Sequence, residues 1–422
     1  MNNNTKSAWK WVPSLYFAQG LPYVVIATTV SVIMYKKLGI SNTDIALYTG
    51  WLYLPWVVKP LWSPFIDLIK TKRWWITSMQ LLMGAGFAGV ALLLPLPFFF
   101  QSTLAILWLL AFASATNDIA TDGFYMLDLN EKQQSFFVGI RSTFYRLAMI
   151  FGQGILIIIA GYLELFTGNI RMAWSITFFI LAGIVLALFV YHRYALPHPA
   201  TDKPDKSVNA KNIMREFGYT FSSFFRKKHI VIALLFMLLY RLSEAMLVKM
   251  AAPFMLDSQN SGGLGLATQH VGLAYGTIGV IALTIGGILG GIAISRKSLV
   301  YWLLPMALSI TLPNVAYVYL AYFMPDNLIF VYLAVALEQF GYGFGFTAYT
   351  LYLMIFSQGS RQTAYYAICT GFMALGMMLP GMISGWLQEL LGYQHFFLLI
   401  LVLTIPTLAV IPFVKKSLLE TE

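Results

Sequence analysis

The chain alternates apolar runs, each close to the length that crosses a bilayer, with short polar gaps. A crossing takes about 20 residues of helix at 1.5 Å rise each. Runs of that kind fall at 13–35, 45–67, 75–95, 103–128, 137–161 and 171–194. A second set falls at 229–256, 270–295, 300–323, 328–356, 363–388 and 395–414. The pattern predicts an all-α membrane protein of twelve transmembrane helices, with one six-helix half over 1–194, a polar linker over 195–228 and another half over 229–422. The first run follows Lys10 and lacks the small-residue cleavage site of a signal peptide, so it reads as the first membrane helix.

The gap charges orient the chain. The ends and the even gaps carry Lys6 and Lys10, then Lys70, Lys72 and Arg73, then Lys132, Arg296, Lys297, Arg361, Lys415 and Lys416. The linker adds Arg193, Lys203, Lys206, Lys211, Arg215, Arg226, Lys227 and Lys228, whereas the odd gaps carry only Lys36, Lys37 and Arg171. Cytoplasmic loops concentrate Lys and Arg. Both termini and the linker are therefore expected in the cytoplasm. In the linker, Phe217, Tyr219, Phe221, Phe224 and Phe225 interleave with Arg215, Arg226 and Lys228, which describes either an interfacial helix on anionic lipid or a solvated connector.

Composition narrows the function classes. Of 422 residues, 59% are hydrophobic and only 10% charged, against about 25% charged in a soluble protein. The net charge of +10 is spread over the gaps, so it reads as membrane orientation and not as a nucleic-acid surface. One cysteine, Cys369, forms no internal disulfide, and the five histidines make no His-x-x-x-His pair. No metal or cofactor is expected. A membrane enzyme would need a His, Cys or metal-carboxylate constellation at the membrane face, and the sequence offers none.

Ionisable groups inside the runs then stand out, because each costs several kcal/mol to insert. In the fourth run, Asp118 and Asp122 are four apart and share a helix face, with Asn117 and Thr121 beside them. Two carboxylates so close in a low dielectric repel, which favours keeping a proton on one of them. They are candidates for proton coupling or substrate contact, or for structural pairing with Arg near the cytoplasmic end. The fifth run supplies Arg141, Tyr145 and Arg146. Arg141 reads as structural, and Arg146, deeper by about a turn, has the planar fork that holds an anionic group. The seventh run has Tyr240, Arg241 and Glu244, the last two spaced to pair on one face, and farther out Lys249. The tenth has Glu338 and Gln339, then Gly341, Gly343 and Gly345, which suit close packing or bending. Glu338 is the only acid of its run and a second candidate proton carrier. In the first run, Gln19 and Tyr23 are candidate contacts for a sugar or amide, or interhelical glue.

These motifs carry a resemblance. Two six-helix halves on a basic linker resemble the major facilitator architecture, in which cargo sits between the halves near the midplane. Ser63-Pro64-Phe65-Ile66-Asp67 followed by Lys70, Lys72 and Arg73 resembles that superfamily's cytoplasmic signature, with Asp67 and Arg73 as gating residues. More specifically, Ser14 to Tyr23, Lys59 to Asp67, Asn117 to Asp122, Tyr240-Arg241-Leu242-Ser243-Glu244, Leu337-Glu338-Gln339-Phe340 and Gln362 to Ala367 are similar to the AmpG-type muropeptide permeases. Arg241 departs from the pattern, which would have Lys there. The resemblance implies a proton-driven importer of N-acetylglucosaminyl-anhydro-N-acetylmuramyl peptides for cell-wall recycling, acting as a monomer. Its small-molecule cargo and protons would be its only partners besides lipid. An importer of another disaccharide is the alternative. The cargo site would draw on Gln19, Tyr23, Tyr145, Arg146, Tyr240, Arg241 and Gln339, and proton coupling on Asp118, Asp122, Glu244 and Glu338.

Overall fold

A computed structural model describes residues 3–63, 66, 69–203, 210–359 and 361–420. All regular structure among the described residues is helical. Ten stretches are long and apolar enough to cross a bilayer: Ala8–Lys37, Lys72–Leu93, Phe99–Asp128, Gly139–Thr167, Ile170–Ala195, Ile230–Leu256, Thr268–Arg296, Leu299–Phe323, Leu328–Phe356 and Ala364–Leu419. The last, of 56 residues, is too long for one crossing, and its backbone turns at Gly392 (φ 72°, ψ 163°), a conformation that only glycine adopts without strain. It therefore contains both runs expected at 363–388 and 395–414.

The expected run 45–67 is not one continuous helix. It breaks into Asn42–Trp51, Leu54–Val58 and a short 3₁₀ turn Lys59–Leu61. Pro55 at the start of the second piece and Pro60 in the third remove backbone donors, which ends each helix where it does. Twelve crossings fit this set of helices.

Helix Val280–Arg296 shows how the pattern selects its environment. Ile281, Ile285, Ile288 and Ile292 recur at three- and four-residue spacing and are all exposed, as suits a face turned to lipid tails. On the same helix, Gly286 and Gly290 lie against the backbone of Leu328–Phe356 at Phe340 and Phe344. The partner helix answers in kind, since a Cβ on Gly343 would collide with the Leu283 carbonyl, and one on Gly341 with that of Ser309. Of the two roles open to these glycines, the structure shows close packing.

The chain forms two compact units, Met1–Leu38 with Leu61–Ile213, and Gly39–Pro60 with Met214–Glu422. In the first, Lys72–Leu93 packs between Phe99–Asp128 and Ile170–Ala195, and Asn3–Ala27 lies on Phe99–Asp128 and Glu131–Ile150. Trp11, Leu15, Phe124 and Phe137 are among the side chains of its core. In the second, Leu328–Phe356 packs on Val280–Arg296 and Leu299–Thr311, while Gln362–Val402 packs on Leu242–Leu256 and Asn42–Trp51.

The linker contributes structure of its own. Asp202 accepts hydrogen bonds from the backbone N–H groups of Lys72 (2.8 Å) and Arg73 (3.1 Å), placing a carboxylate on the positive end of that helix. Helix Ala210–Phe225 forms, with Phe224 buried against Phe356, Tyr365 and Phe372, while Tyr219, Phe221 and Phe225 stay exposed. The Phe217 side chain lies outside the described residues. Lys227 closes the end of helix Leu328–Phe356, donating to the carbonyls of Phe356 (2.5 Å) and Gln358 (2.8 Å). Partial burial there holds its amine below the usual lysine range, and nearby Cys369 opposes that shift.

Candidate functional site

In the first unit, Asn130 caps helix Glu131–Ile150 through a reciprocal pair with Gln133, which fixes the rise of Arg141 along that helix. Arg141 then meets Asp122 of helix Phe99–Asp128 and Tyr16 of Asn3–Ala27. The Tyr16 hydroxyl donates to Asp122 Oδ1 at 3.0 Å, and one Arg141 nitrogen donates to the Tyr16 oxygen at 3.1 Å. That nitrogen lies 3.7 Å from Asp122 Oδ1, and the guanidinium faces the rings of Tyr16 and Tyr125 at 5.0 and 5.1 Å. Both charged side chains remain partly exposed, at 43% for Asp122 and 32% for Arg141, so this pair stays reachable and is weak as a structural clamp.

Asp118, one turn from Asp122, is half-buried and engaged. Tyr23 and Tyr145 are half-buried and engaged too. Arg146 is half-buried and has no acidic partner among the described residues. A buried polar stripe runs along helix Phe99–Asp128. Ser114, Asn117 and Thr121 sit at i, i+3 and i+7, and their side-chain polar atoms have no hydrogen-bond partner among the described residues. Gln19 is buried and its carbonyl oxygen is likewise unpartnered. Burying such groups unpaired costs roughly 1–3 kcal/mol each. Asp67 lies outside the described residues. The Arg73 guanidinium donates to the carbonyls of Arg193 and Leu196 at the end of helix Ile170–Ala195.

In the second unit the seventh run is broken at Tyr240 and Arg241, between helices Ile230–Leu239 and Leu242–Leu256. The break places Arg241 at the helix N-cap and Glu244 in the first turn, where the helix dipole favours a carboxylate. They form a two-pronged pair with both N···O distances at 2.7 Å. The guanidinium also faces Tyr342 (4.7 Å) and Phe346 (5.0 Å), which are four apart on Leu328–Phe356. Tyr240 donates to the Gly345 carbonyl (3.0 Å) and stacks on Tyr349.

Glu338 is buried on the same long helix. It accepts from Gln339 (2.8 Å) and from Tyr317 (3.3 Å), and the Tyr317 hydroxyl meets that of Tyr275 at 2.6 Å. Tyr275 occupies a π-helical stretch, Leu273–Gly279, a widening of the helix often found at functional positions. The result is a short hydroxyl chain ending on a carboxyl. No cation pairs with Glu338 among the described residues.

The structure thus gathers Asp122 and Arg141 in one cluster, Arg241 with Glu244 and Tyr240 in another, and Glu338 with Gln339 in a third. Sequence reading assigned no role to Tyr16, Tyr275 or Tyr317, because tyrosine is common in membrane helices and nothing in its spacing marks a carboxylate partner. It also gave Lys249 no role. That side chain is 8% exposed, its ammonium lies 5.8 Å from the Tyr53 ring centroid, and it has no acidic partner among the described residues.

Comparison with known proteins agrees with this architecture. The chain is 24% identical over 411 residues to the anhydromuropeptide permease of Escherichia coli strain K12, covering 96% of this chain and 79% of that one. It is 26% identical over 428 residues to putative transporter AmpG 4 of Rickettsia felis, covering 96% and 95%. Among solved structures, the D-xylose–proton symporter superposes with a TM-score of 0.70 at 13% identity, over 96% of each chain. The nucleoside transporter NupG superposes at 0.69 with 15% identity, over 99% of each. With its all-helical membrane fold, and with residues 14–360 matching the family's sequence profile, the chain belongs to the Major Facilitator Superfamily.

Proposed function

We propose that this protein is a secondary active transporter that imports anhydromuropeptides across the bacterial inner membrane, driven by protons. The observation that carries the cargo is the likeness to the Escherichia coli anhydromuropeptide permease over nearly the full chain. Support for coupling comes from carboxyls held inside membrane helices beside hydroxyl or guanidinium partners, Asp122 with Tyr16 and Arg141, and Glu338 with Tyr317.

In this reading Glu338 and Asp122 take and release the proton, with Asp118 and Glu244 tuning their charge. Gln19, Tyr23, Tyr145, Arg146, Tyr240 and Gln339 line the route of the cargo. A protonated carboxyl lets the loaded carrier reorient without an uncompensated buried charge. Residues 1–194 and 229–422 act as the moving halves in alternating access. The protein works as a monomer with its termini in the cytoplasm.

A second reading, import of a neutral disaccharide, is favoured by one observation. Arg241 is fully occupied by Glu244, as expected where no anionic cargo claims it. Arg146, with no acidic partner among the described residues, supports the anionic cargo instead. Uptake of radiolabelled anhydromuropeptide into proteoliposomes, with and without an inward proton gradient, separates the readings. Gradient-stimulated accumulation supports import of muropeptide. Gradient-stimulated uptake of neutral disaccharides alone would replace it with the second reading.

A further inference from the structure

We infer that Lys249 is the residue that receives a carboxylate of the cargo. The inference rests on the reading of the chain as a carrier of an acidic sugar compound and names the group that recognises the acid.

Lys249 lies in helix Leu242–Leu256, within the apolar stretch Ile230–Leu256, and is more than nine-tenths buried. An ammonium at that depth costs several kcal/mol unless a counter-charge or hydrogen bonds compensate it. Acids of the second unit are engaged by other groups, and none pairs with Lys249 among the described residues. Glu244 is held on both oxygens by Arg241. Asp257 accepts from Tyr393 at 2.6 Å, and Glu389 from Thr43. Glu338 accepts from Gln339 and Tyr317.

Helix geometry keeps the two acids of its own helix away. Glu244 is five residues back, about 140° around the helix, and Asp257 is eight residues on, about 12 Å along it. What does face the ammonium is the Tyr53 ring, too weak a partner at 5.8 Å to offset the burial. A buried, unpaired ammonium beside an aromatic ring has the chemistry of a site for a sugar acid. The ring offers an apolar face to the sugar, and the ammonium pairs with the carboxylate.

The test uses the purified full-length protein and two probes that differ by one carboxylate-bearing group. N-acetylmuramic acid carries a free lactyl carboxylate, which stands in for the stem-peptide carboxylates of a muropeptide, whose own lactyl group is amide-linked, and N-acetylglucosamine is the same ring without it. Thermal stabilisation is followed against probe concentration for the wild type, Lys249→Met and Lys249→Arg. Muramic acid is expected to stabilise the wild type, with its apparent Kd raised about tenfold or more in Lys249→Met and partly restored in Lys249→Arg. N-acetylglucosamine should respond alike in all three. Equal muramic acid binding in wild type and Lys249→Met overturns the inference, as does no muramic acid effect on the wild type. If the wild type fails to transport anhydromuropeptide yet binds muramic acid through Lys249, the proposed cargo falls and this assignment stands.

Discussion

The Arg241–Glu244 pair allows the sharpest test of what a buried charge does in this fold. Glu244 is 2% exposed and Arg241 9%, and both guanidinium contacts are 2.7 Å long. Truncating the acid in Glu244→Ala leaves the guanidinium without a counter-charge, with only the Tyr342 and Phe346 rings beside it. Breaking a buried pair from one side costs about 3–5 kcal/mol. For a chain of this size the loss amounts to a fall in Tm on the order of 3–6 °C. Replacing both partners, in the double variant Arg241→Met, Glu244→Leu, removes the orphaned charge and should return stability to within about 1 kcal/mol of wild type, or above it. Thermal unfolding in detergent reads the stability, and proteoliposome uptake reads the function. Transport should stay lost in the double variant even with stability restored, because the pair also orders the helix break at Tyr240. A double variant as unstable as Glu244→Ala would refute the desolvation reasoning, and one that transports normally would refute any functional role for the pair.

Four further outcomes are expected. Glu338→Gln should abolish gradient-driven accumulation while leaving cargo exchange at equal pH, checked by counterflow. Asp122→Asn, which keeps an acceptor for Tyr16 but removes the charge beside Arg141, should likewise flatten the pH dependence of uptake without loss of expression. Tyr317→Phe should slow the gradient-driven rate more than it raises KM, since it cuts the hydroxyl chain to Glu338 without touching the carboxyl. Gly343→Ala forces a Cβ into the Leu283 carbonyl and should destabilise the protein by about 1–3 kcal/mol, visible as a lower Tm.

Much of this was legible in the sequence because the bilayer imposes simple rules. Apolar run length predicted the helices, whereas the breaks in the second run beside Pro55 and Pro60 and the turn at Gly392 were not read from it, because run length alone does not say where a backbone donor is missing or where φ turns positive. The charges inside the runs were legible because lipid makes them costly, and Arg241 and Glu244 could be paired from a three-residue spacing alone. Contacts across helices were not legible. Nothing local says that Tyr16 meets Asp122 across 106 positions, or that a π-helical stretch turns Tyr275 toward Tyr317. Lys249 was visible as a charge, but its lack of an acidic partner among the described residues was not, because that depends on contacts between helices.

The most direct test of proton-coupled import is a pH record. Protein is reconstituted in liposomes with a dye reporting external pH, without an imposed gradient, and anhydromuropeptide is added outside. The account predicts cargo-dependent alkalinisation of the external medium as protons enter with it, and no such signal from Glu338→Gln. Cargo entry with no proton movement in the wild type would contradict it.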